Sequence, residues 1–91
     1  MNNLEARKFA ASINPNLKIL DLHGHYPSEA LDKLELFIFH SRSVGELELR
    51  VVYGGGTGRL KDAVLEYASK HNLVEEVVDE GGSCILILFG N

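Results

Sequence analysis

The sequence is poor in the features that mark secreted or membrane-spanning proteins. It has one cysteine, Cys84, so no disulfide can form within the chain. No apolar run reaches about 18 residues, and no basic and apolar leader stands at the N-terminus, which argues against a membrane span or a signal peptide. We therefore expect a cytoplasmic protein that does not contact membranes, with Cys84 buried and unreactive in the run "SCILILF".

Positive charge is also scarce. Nine Lys and Arg residues stand against 13 Asp and Glu residues, which gives a net charge of −4. This balance excludes a protein that binds nucleic acid through bulk charge. Residues 1–61 carry eight basic and seven acidic residues, whereas residues 62–91 carry one basic and six acidic residues. Any anion site must therefore be local, set by geometry, and situated in the first two-thirds of the chain.

What is present is enough apolar sequence for one small α/β (α+β) domain. The 91 residues, 45% of them hydrophobic, leave no room for a second core. We predict a two-layer sandwich with the order β-α-β-α-β-β, in which two helices cover one face of a four-stranded mixed sheet. The last strand is central and buried on both faces, an arm or short helix precedes the domain, and the chain is a monomer. The predicted segments are an arm (1–16), a domain (17–91), strands (17–24, 47–53, 74–79 and 83–89) and helices that begin near Pro27 and Leu60.

The stretch "LDLHG" places a carboxylate and an imidazole at the end of the first strand. Because side chains alternate along a strand, Asp21 and His23 lie on one face, about 6.5–7 Å apart along the chain. An imidazole gives or takes a proton near neutral pH, and a neighbouring carboxylate fixes its tautomer. His25 is expected to share this rim. A structural alternative stays open, in which Asp21 caps a turn and His23 only ends the strand.

A glycine-rich turn lies between the second strand and the last helix, in "VVYGGGTGRLKDAV". A strand that enters such a turn and then a helix leaves backbone N–H groups pointing outward at the positive end of the helix dipole, which is a phosphate seat. Arg59 and Lys61 stand in the first turn of this helix, where a cation costs about 0.3–1 kcal/mol. A bound anion would reverse that cost, and Asp62 partly offsets it when nothing is bound. The spacing fits neither a P-loop nor a Rossmann pattern.

The alternative for this turn is a tight strand–helix connection with two solvated basic side chains. If the first two strands are parallel neighbours, however, their carboxyl ends bring Asp21, His23 and the glycine turn to one rim. A proton-transfer pair beside a phosphate seat indicates phosphodiester chemistry, or binding of a nucleic-acid backbone.

These motifs resemble the small MutS-related (Smr) domain family over about residues 17–91. The family's first motif, Leu-Asp-Leu-His or Leu-Asp-Leu-Arg, is matched by Leu20 to His23, and a helix with "EALDKLELFI" follows. Its second motif, often His-Gly-x-Gly-Thr-Gly with Leu and a basic residue after it, is matched by Gly54 to Lys61. The sequence departs from the family at Tyr53, where that motif often has histidine. The resemblance implies a fold similar to the C-terminal domain of translation initiation factor three.

The resemblance further implies an endonuclease that nicks DNA or cleaves RNA, alone or associated with a larger MutS-like or RNA-processing protein. Asp21 and His23 are then the catalytic pair, and Tyr53 is expected to stack on a base or to donate a hydroxyl hydrogen bond. The residues expected to contact phosphate or nucleic acid are Gly54, Gly56, Thr57, Gly58, Arg59, Lys61, Tyr53 and His25.

Two alternatives and the question of a cofactor stay open at this stage. The first alternative is a non-catalytic module that binds branched DNA or ribosome-associated RNA, which the acidic balance favours. The second is a protein-interaction domain that uses Leu36 and Phe39, two apolar residues outside the helix stripe. No dense carboxylate cluster surrounds Asp21, so we expect no resident metal or other cofactor. A divalent cation such as Mg²⁺ is still the usual requirement when water cleaves DNA.

Overall fold

The computed structural model describes residues 2–90, so Met1 and Asn91, the outer ends of the predicted arm and domain, lie outside the described residues. Within this range the chain forms three helices and four strands, in the predicted order with one helix ahead of it. The elements are α1 (Asn3–Ile13), β1 (Lys18–Asp21), α2 (Pro27–Ser43), β2 (Glu48–Val52), α3 (Arg59–Ser69), β3 (Val74–Asp79) and β4 (Ser83–Leu88). The observed strands are shorter than predicted at one or both ends, β3 excepted.

The four strands form one mixed sheet with the order β1-β2-β4-β3. Strands β1 and β2 are parallel, as the crossover through α2 requires, and the other two pairs are antiparallel. Strand β4 lies in the centre and its residues from Cys84 to Leu88 have no exposed surface. This confirms the prediction, made from its uninterrupted apolar run, that β4 is buried on both faces.

Helices α2 and α3 form the main core against one face of the sheet. Helix α2 begins with Pro27 in its first turn, where a missing N–H costs nothing, and buries a stripe with Ala30, Leu34 and Ile38. These side chains pack in one cluster with Val64 of α3 and with alternate residues of β2 and β4. No helix in the described part of the chain is both long and apolar enough to span a membrane.

Helix α1 packs on the opposite face of the sheet. Ala11, 2% exposed, forms a second apolar cluster with Ile85 and Ile87, the β4 residues that alternate away from the main core. The Asn2 side chain caps α1 by accepting from Glu5 N–H at 2.8 Å. The predicted two-layer sandwich is therefore incomplete, because α1 packs on the second face of the sheet. The sequence pattern of α1 did not reveal that the small residue Ala11 lets this helix approach the sheet.

Arg7 joins α1 to one end of the sheet. Its guanidinium donates to Glu48 at 3.2 Å, to Glu75 at 3.2 Å and to the backbone carbonyl of Leu88 at 3.0 Å. The planar guanidinium serves several acceptors at once, which a lysine at this position would not do in the same geometry. The contacts join α1 to β2, β3 and β4, and they mark α1 as a docked helix.

Candidate functional site

Three connections meet at one end of the sheet and form the candidate site. The first follows β1, the second follows β2, and the third is the β3–β4 hairpin. Leu22 N–H donates to Val52 O at 2.7 Å, and the N–H groups of Tyr53 and Gly54 donate to Gly82 O at 3.0 and 2.9 Å. These hydrogen bonds extend the strand pairing past the strand ends, so the segments after β1 and β2 lie side by side.

Asp21, the last residue of β1, and His23, in the connection that follows, form a direct hydrogen-bonded pair. His23 Nδ1 lies 2.6 Å from Asp21 Oδ1, and the same oxygen accepts from His23 N–H at 3.1 Å. The side chains are 52% and 71% exposed, respectively. The hydrogen bond from the His23 side chain, with that from its backbone, lowers the pKa of Asp21. An ionised Asp21 accepts a hydrogen bond from the Nδ1–H group of His23. In the neutral form of this imidazole, the Nε2 lone pair is then available to another partner.

His23 touches the glycine turn, as the shared-rim prediction requires. A β-carbon built at Gly54 would lie 3.5 Å from the Cβ atom of His23. Gly54 has a φ of 76°, a conformation that glycine adopts at little cost. The structure therefore brings together the two sequence motifs, with the Cβ atom of His23 beside Gly54.

His25 faces the connection itself. Its Nδ1 lies 3.2 Å from the carbonyl oxygen of Leu22 and 3.3 Å from that of His23. Its Nε2 lies 3.6 Å from Glu29 in the first turn of α2. The expectation that His25 binds phosphate therefore has no support in this geometry, because both ring nitrogens face groups of the chain itself.

A pocket of about 270 Å³ lies between the glycine turn and the β3–β4 hairpin. Lys61 is its charged residue, and glycines supply the remaining lining: Gly54, Gly55, Gly56, Gly58, Gly81 and Gly82. Gly55 and the two hairpin glycines were not predicted as site residues. The "EGG" turn signal marked the hairpin, but its position beside the other turn follows only from the pairing of β2 with β4.

The backbone amides of this turn divide into two groups. Gly54 N–H is used by the hairpin carbonyl of Gly82, so Gly54 shapes the pocket and its amide is not offered to a ligand. Within residues 2–90, no protein acceptor is found for the N–H groups of Gly55, Gly56 or Gly58. Gly58 is the N-cap residue of α3, and as a glycine it has no side chain that could accept from the first N–H groups of the helix. The positive end of the helix dipole is therefore left open.

Asp79 is a site residue that the sequence did not reveal. It lies at the end of β3, and its carboxylate meets Lys61 Nζ at 3.2 Å, Tyr53 Oη at 3.2 Å and Gly81 N–H at 2.9 Å. The Gly81 amide and Lys61 hold the pKa of Asp79 below its usual range. Asp79 therefore offsets the Lys61 charge in the absence of a ligand, a role that the sequence had suggested for Asp62.

Tyr53 is part of the core. Its side chain is 3% exposed and its hydroxyl donates to Asp79. Burial, with the nearby Cys84 and Asp79, raises the pKa of Tyr53. The prediction that Tyr53 stacks on a base is wrong, because the ring is enclosed. The predicted hydroxyl hydrogen bond exists, but it goes to a carboxylate of the protein.

Arg59 and Thr57 are exposed and lie outside the pocket lining. Thr57 Oγ1 accepts from Arg59 N–H at 3.4 Å, which is a weak local hydrogen bond at the start of α3. Both side chains stand beside the open end of the helix. Among the described residues, no group of three or more His, Cys, Asp or Glu side chains is arranged to hold a metal ion.

Comparison with known proteins places this site in a family. The profile of the Smr domain matches residues 20–89, so the chain belongs to the Smr domain family. The endonuclease MutS2 of Aquifex aeolicus is 36% identical over 74 residues, 77% of this chain and 10% of that protein. The endonuclease MutS2 of Listeria welshimeri is 29% identical over 82 residues, 86% of this chain and 10% of that protein. The chain thus spans about a tenth of the length of these curated relatives.

Solved structures agree with the fold. The crystal structure of the Smr domain of Thermus thermophilus MutS2 superposes with a TM-score of 0.78 at 29% identity, covering 81% of this chain and 100% of that chain. The solution structure of the SMR domain of NEDD4-binding protein 2 gives 0.66 at 26% identity, covering 86% and 92%. The predicted family and the α+β class with a four-stranded mixed sheet are confirmed.

Proposed function

We propose that this Smr domain is an endonuclease that binds the backbone of DNA or RNA at the glycine pocket and uses His23 for proton transfer. The observation that carries the proposal is the contact between the two motifs. The His23 imidazole is oriented by Asp21 at 2.6 Å, and its Cβ atom lies beside Gly54 at the edge of the pocket. The names of its MutS2 relatives support the same activity.

A phosphate in the pocket would replace interactions that the protein now makes internally. The amides of Gly55, Gly56 and Gly58 have no protein acceptor within residues 2–90 and lie just ahead of the open end of α3, where a phosphate is favoured by the helix dipole. Lys61 would turn from Asp79 to the ligand and stabilise the negative charge that develops on the phosphorus oxygens. Each of these contacts is independent of base identity, so sequence preference must come from elsewhere.

The Asp21–His23 pair suits RNA cleavage in particular. His23 Nε2 takes the proton of the 2′-hydroxyl, the 2′-oxygen attacks the adjacent phosphorus, and the bond from phosphorus to the 5′-oxygen breaks. A proton returned to the 5′-oxygen completes a step that yields a 2′,3′-cyclic phosphate and a 5′-hydroxyl. On DNA a water molecule must attack instead, for which a divalent cation is the usual activator. We propose no resident cofactor, and cation dependence is decided by the EDTA arm below.

A second candidate function is nucleic-acid binding without cleavage. The Lys61–Asp79 ion pair favours it, because it lowers the positive charge that the pocket presents. In this case the domain recognises branched DNA or ribosome-associated RNA for a larger protein. The short span of the chain relative to MutS2 supports such a partnership in either case. A monomeric state and a cytoplasmic location stay predictions.

Plasmid nicking and RNA cleavage, each measured with and without EDTA, test the proposal. We expect His23→Ala to lower the cleavage rate by at least about 100-fold, because general acid–base catalysis contributes about that much. Binding of a labelled oligonucleotide should be nearly unchanged. His40→Ala, which alters an exposed histidine of α2, is the matched control and should cleave like the wild type.

Two results would argue against the proposed mechanism. Equal cleavage by the wild-type protein and the His23→Ala variant would mean that His23 takes no part, or that a contaminant cleaves. Tight binding without any cleavage, in all cation conditions, would favour the second candidate function. Detection of a 2′,3′-cyclic phosphate end would assign the RNA route.

A further inference from the structure

A second cavity, of about 780 Å³, lies between α2 and α3, on the side of these helices away from β2 and β4. We call it the helix groove. Its volume falls within the range of about 300–1,000 Å³ that is usual for ligand sites. Its lining is mostly apolar and aromatic and includes two carboxylates: Leu31, Glu35, Phe39, Ala63, Glu66 and Tyr67, with residues 70–73. Neither sequence motif contributes to it.

Glu35 is held rigidly in this groove. The Tyr67 hydroxyl donates to Glu35 Oε1, and His71 Nε2 lies 2.8 Å from the same oxygen. Both contacts end on Oε1, so neither occupies Oε2. The Tyr67 hydroxyl, followed by His71, lowers the pKa of Glu35, so the carboxylate is ionised at neutral pH.

The partners of Glu35 do not neutralise its charge. The backbone N–H of Leu73 donates to His71 Nδ1 at 3.0 Å, which requires an unprotonated Nδ1 and therefore the neutral Nε2–H tautomer. The other carboxylate, Glu66, already has a cation, because Lys70 Nζ lies 3.1 Å away. The groove thus holds a fixed negative charge at Glu35, and the carboxyl end of α3 adds to the negative potential.

Aromatic rings surround this carboxylate. The rings of Phe39 and His71 meet edge to face with centroids 6.0 Å apart, and those of Tyr67 and His71 with centroids 5.7 Å apart. Phe39 lines the groove and is 55% exposed, so its ring is accessible to a ligand. A carboxylate among aromatic rings is complementary to a guanidinium, which donates in a planar fork and stacks on aromatic faces.

We propose that the helix groove binds a peptide segment of a partner protein in which an arginine stands next to an apolar residue. The arginine pairs with Glu35 against the rings of Phe39 and Tyr67, and the apolar neighbour packs on Leu31 and Ala63. Nucleic acid is disfavoured here because phosphate is repelled by Glu35. Lys61 lies six residues before Tyr67 on α3, about 9 Å along the helix axis, and the glycine pocket and the helix groove share no lining residue.

The test is an NMR titration of the ¹⁵N-labelled protein with the blocked dipeptide acetyl-Leu-Arg-amide. We expect saturable shifts of the backbone amides of Tyr67, His71 and Leu73, the last of which reports directly on the His71 hydrogen bond. The citrulline analogue, acetyl-Leu-citrulline-amide, has the same shape without the charge and should bind about fivefold to tenfold more weakly. This comparison needs no variant protein.

Variants locate the site. Glu35→Gln should weaken binding of the arginine peptide by a similar factor, while the affinity for the citrulline analogue should be unchanged. Glu46→Gln removes an exposed carboxylate outside the groove and should have no effect. A thermal unfolding curve for each variant checks that the fold persists.

Several outcomes would overturn the proposal. Equal affinity for the two peptides, shifts that do not saturate, or shifts centred outside the groove would each do so. Groove shifts that appear on raising the protein concentration alone would mean that a second copy of the chain occupies the groove. Groove shifts with a short RNA would assign this face to nucleic acid instead.

Discussion

At the scale of single residues, Asp79 joins three parts of the chain around the glycine pocket. It accepts from the Gly81 amide of the hairpin, from the Tyr53 hydroxyl below the pocket, and from Lys61 at the first turn of α3. These contacts keep its pKa below the usual range, so the carboxylate is ionised over the neutral pH range. In the absence of a ligand, the Asp79 carboxylate therefore pairs with the ammonium group of Lys61, which is the group that we propose binds phosphate.

Replacing Asp79 by asparagine should release Lys61 and strengthen nucleic-acid binding. The amide keeps an oxygen that can accept from Gly81 or Tyr53, while the negative charge is lost. We expect the affinity for a short labelled RNA to rise about threefold to fivefold at low salt, because the lost ion pair is worth at most about 1 kcal/mol and the Lys61 cation becomes available to the ligand. Fluorescence anisotropy measures the change.

Asp62→Asn is the matched control for this prediction. Asp62 stands next to Lys61 in sequence, but the ion pair of Lys61 is made with Asp79. The control should therefore change affinity less than Asp79→Asn does. A loss of affinity in Asp79→Asn would contradict the expected competition between Asp79 and the ligand for Lys61. It would mean instead that Asp79 positions Lys61 for the ligand.

Residues whose positions depend on the local sequence pattern could be predicted from the sequence. Residues whose contacts depend on the packing of distant segments could not. Asp21 and His23 were predicted as a pair from alternation along a strand, but β1 ends at Asp21 and the two residues meet through the turn that follows, where His23 N–H also donates to Asp21. Asp79 was missed because its contact with Lys61 exists only once β3 has folded back beside β4. Tyr53 was expected to contact nucleic acid because it stands where the family motif often has histidine, whereas in the structure it directly follows β2 and its side chain is buried in the core.

At the scale of elements, periodicity and turn residues predicted the fold well. Pro27 predicted the start of α2, the uninterrupted run of β4 predicted its central place, and "EGG" predicted the hairpin. The packing of α1 was not predictable. Its apolar residues lack clear helical spacing, and its contact with the sheet depends on Ala11, a small residue that gives no hydrophobic signal of its own.

Helix α1 should contribute to stability through this one buried position. Ala11→Asp puts a carboxylate against Ile85 and Ile87, whereas Ala10→Asp makes the same change on the exposed side of the same helix. We expect Ala11→Asp to lower the free energy of unfolding by about 3 kcal/mol, and Ala10→Asp by at most about 0.5 kcal/mol. Urea unfolding followed by circular dichroism measures both.

The paired design separates docking from helix propensity. Aspartate is equally unfavourable in the interior of a helix at the two positions, so only the burial differs. Equal losses in the two variants would show that α1 adds nothing by packing on the sheet, and its residues would then be a tether. A larger loss at position 11, together with aggregation of the variant, would fit exposure of Ile85 and Ile87.

At the scale of the whole molecule, the two proposed surfaces are linked by α3. Its first turn borders the glycine pocket, and its last turns border the helix groove. The helix dipole makes the first end favourable for anions and the second favourable for cations. The acidic excess of residues 62–91 therefore does not conflict with the proposed phosphate site, because the proposed anion site and the proposed cation site lie at opposite ends of one helix.

The core also carries groups that resist losing a proton, which sets how the whole domain responds to alkaline pH. Burial raises the pKa of the Cys84 thiol from 9.0 to about 12, and burial with the Glu35 hydrogen bond raises that of Tyr67 from 10.0 to about 12. Above pH 9 the unfolded chain releases the thiol proton while the folded chain retains it. Stability is therefore complete below pH 9 and falls as pH rises toward 12.

The expected loss for Cys84 alone is about 1.4 kcal/mol in the free energy of unfolding between pH 8 and pH 10, because one pKa unit corresponds to that amount. Urea unfolding under a reducing agent at several pH values measures it. Cys84→Ala should be less stable at pH 8 because of the cavity it leaves, yet its stability should fall less steeply up to pH 10, because only tyrosines with a raised pKa, such as Tyr67, then contribute. An equal slope in both proteins would mean that the thiol ionises as readily in the folded core as in the unfolded chain, which a side chain with no exposed surface in the central strand should not allow.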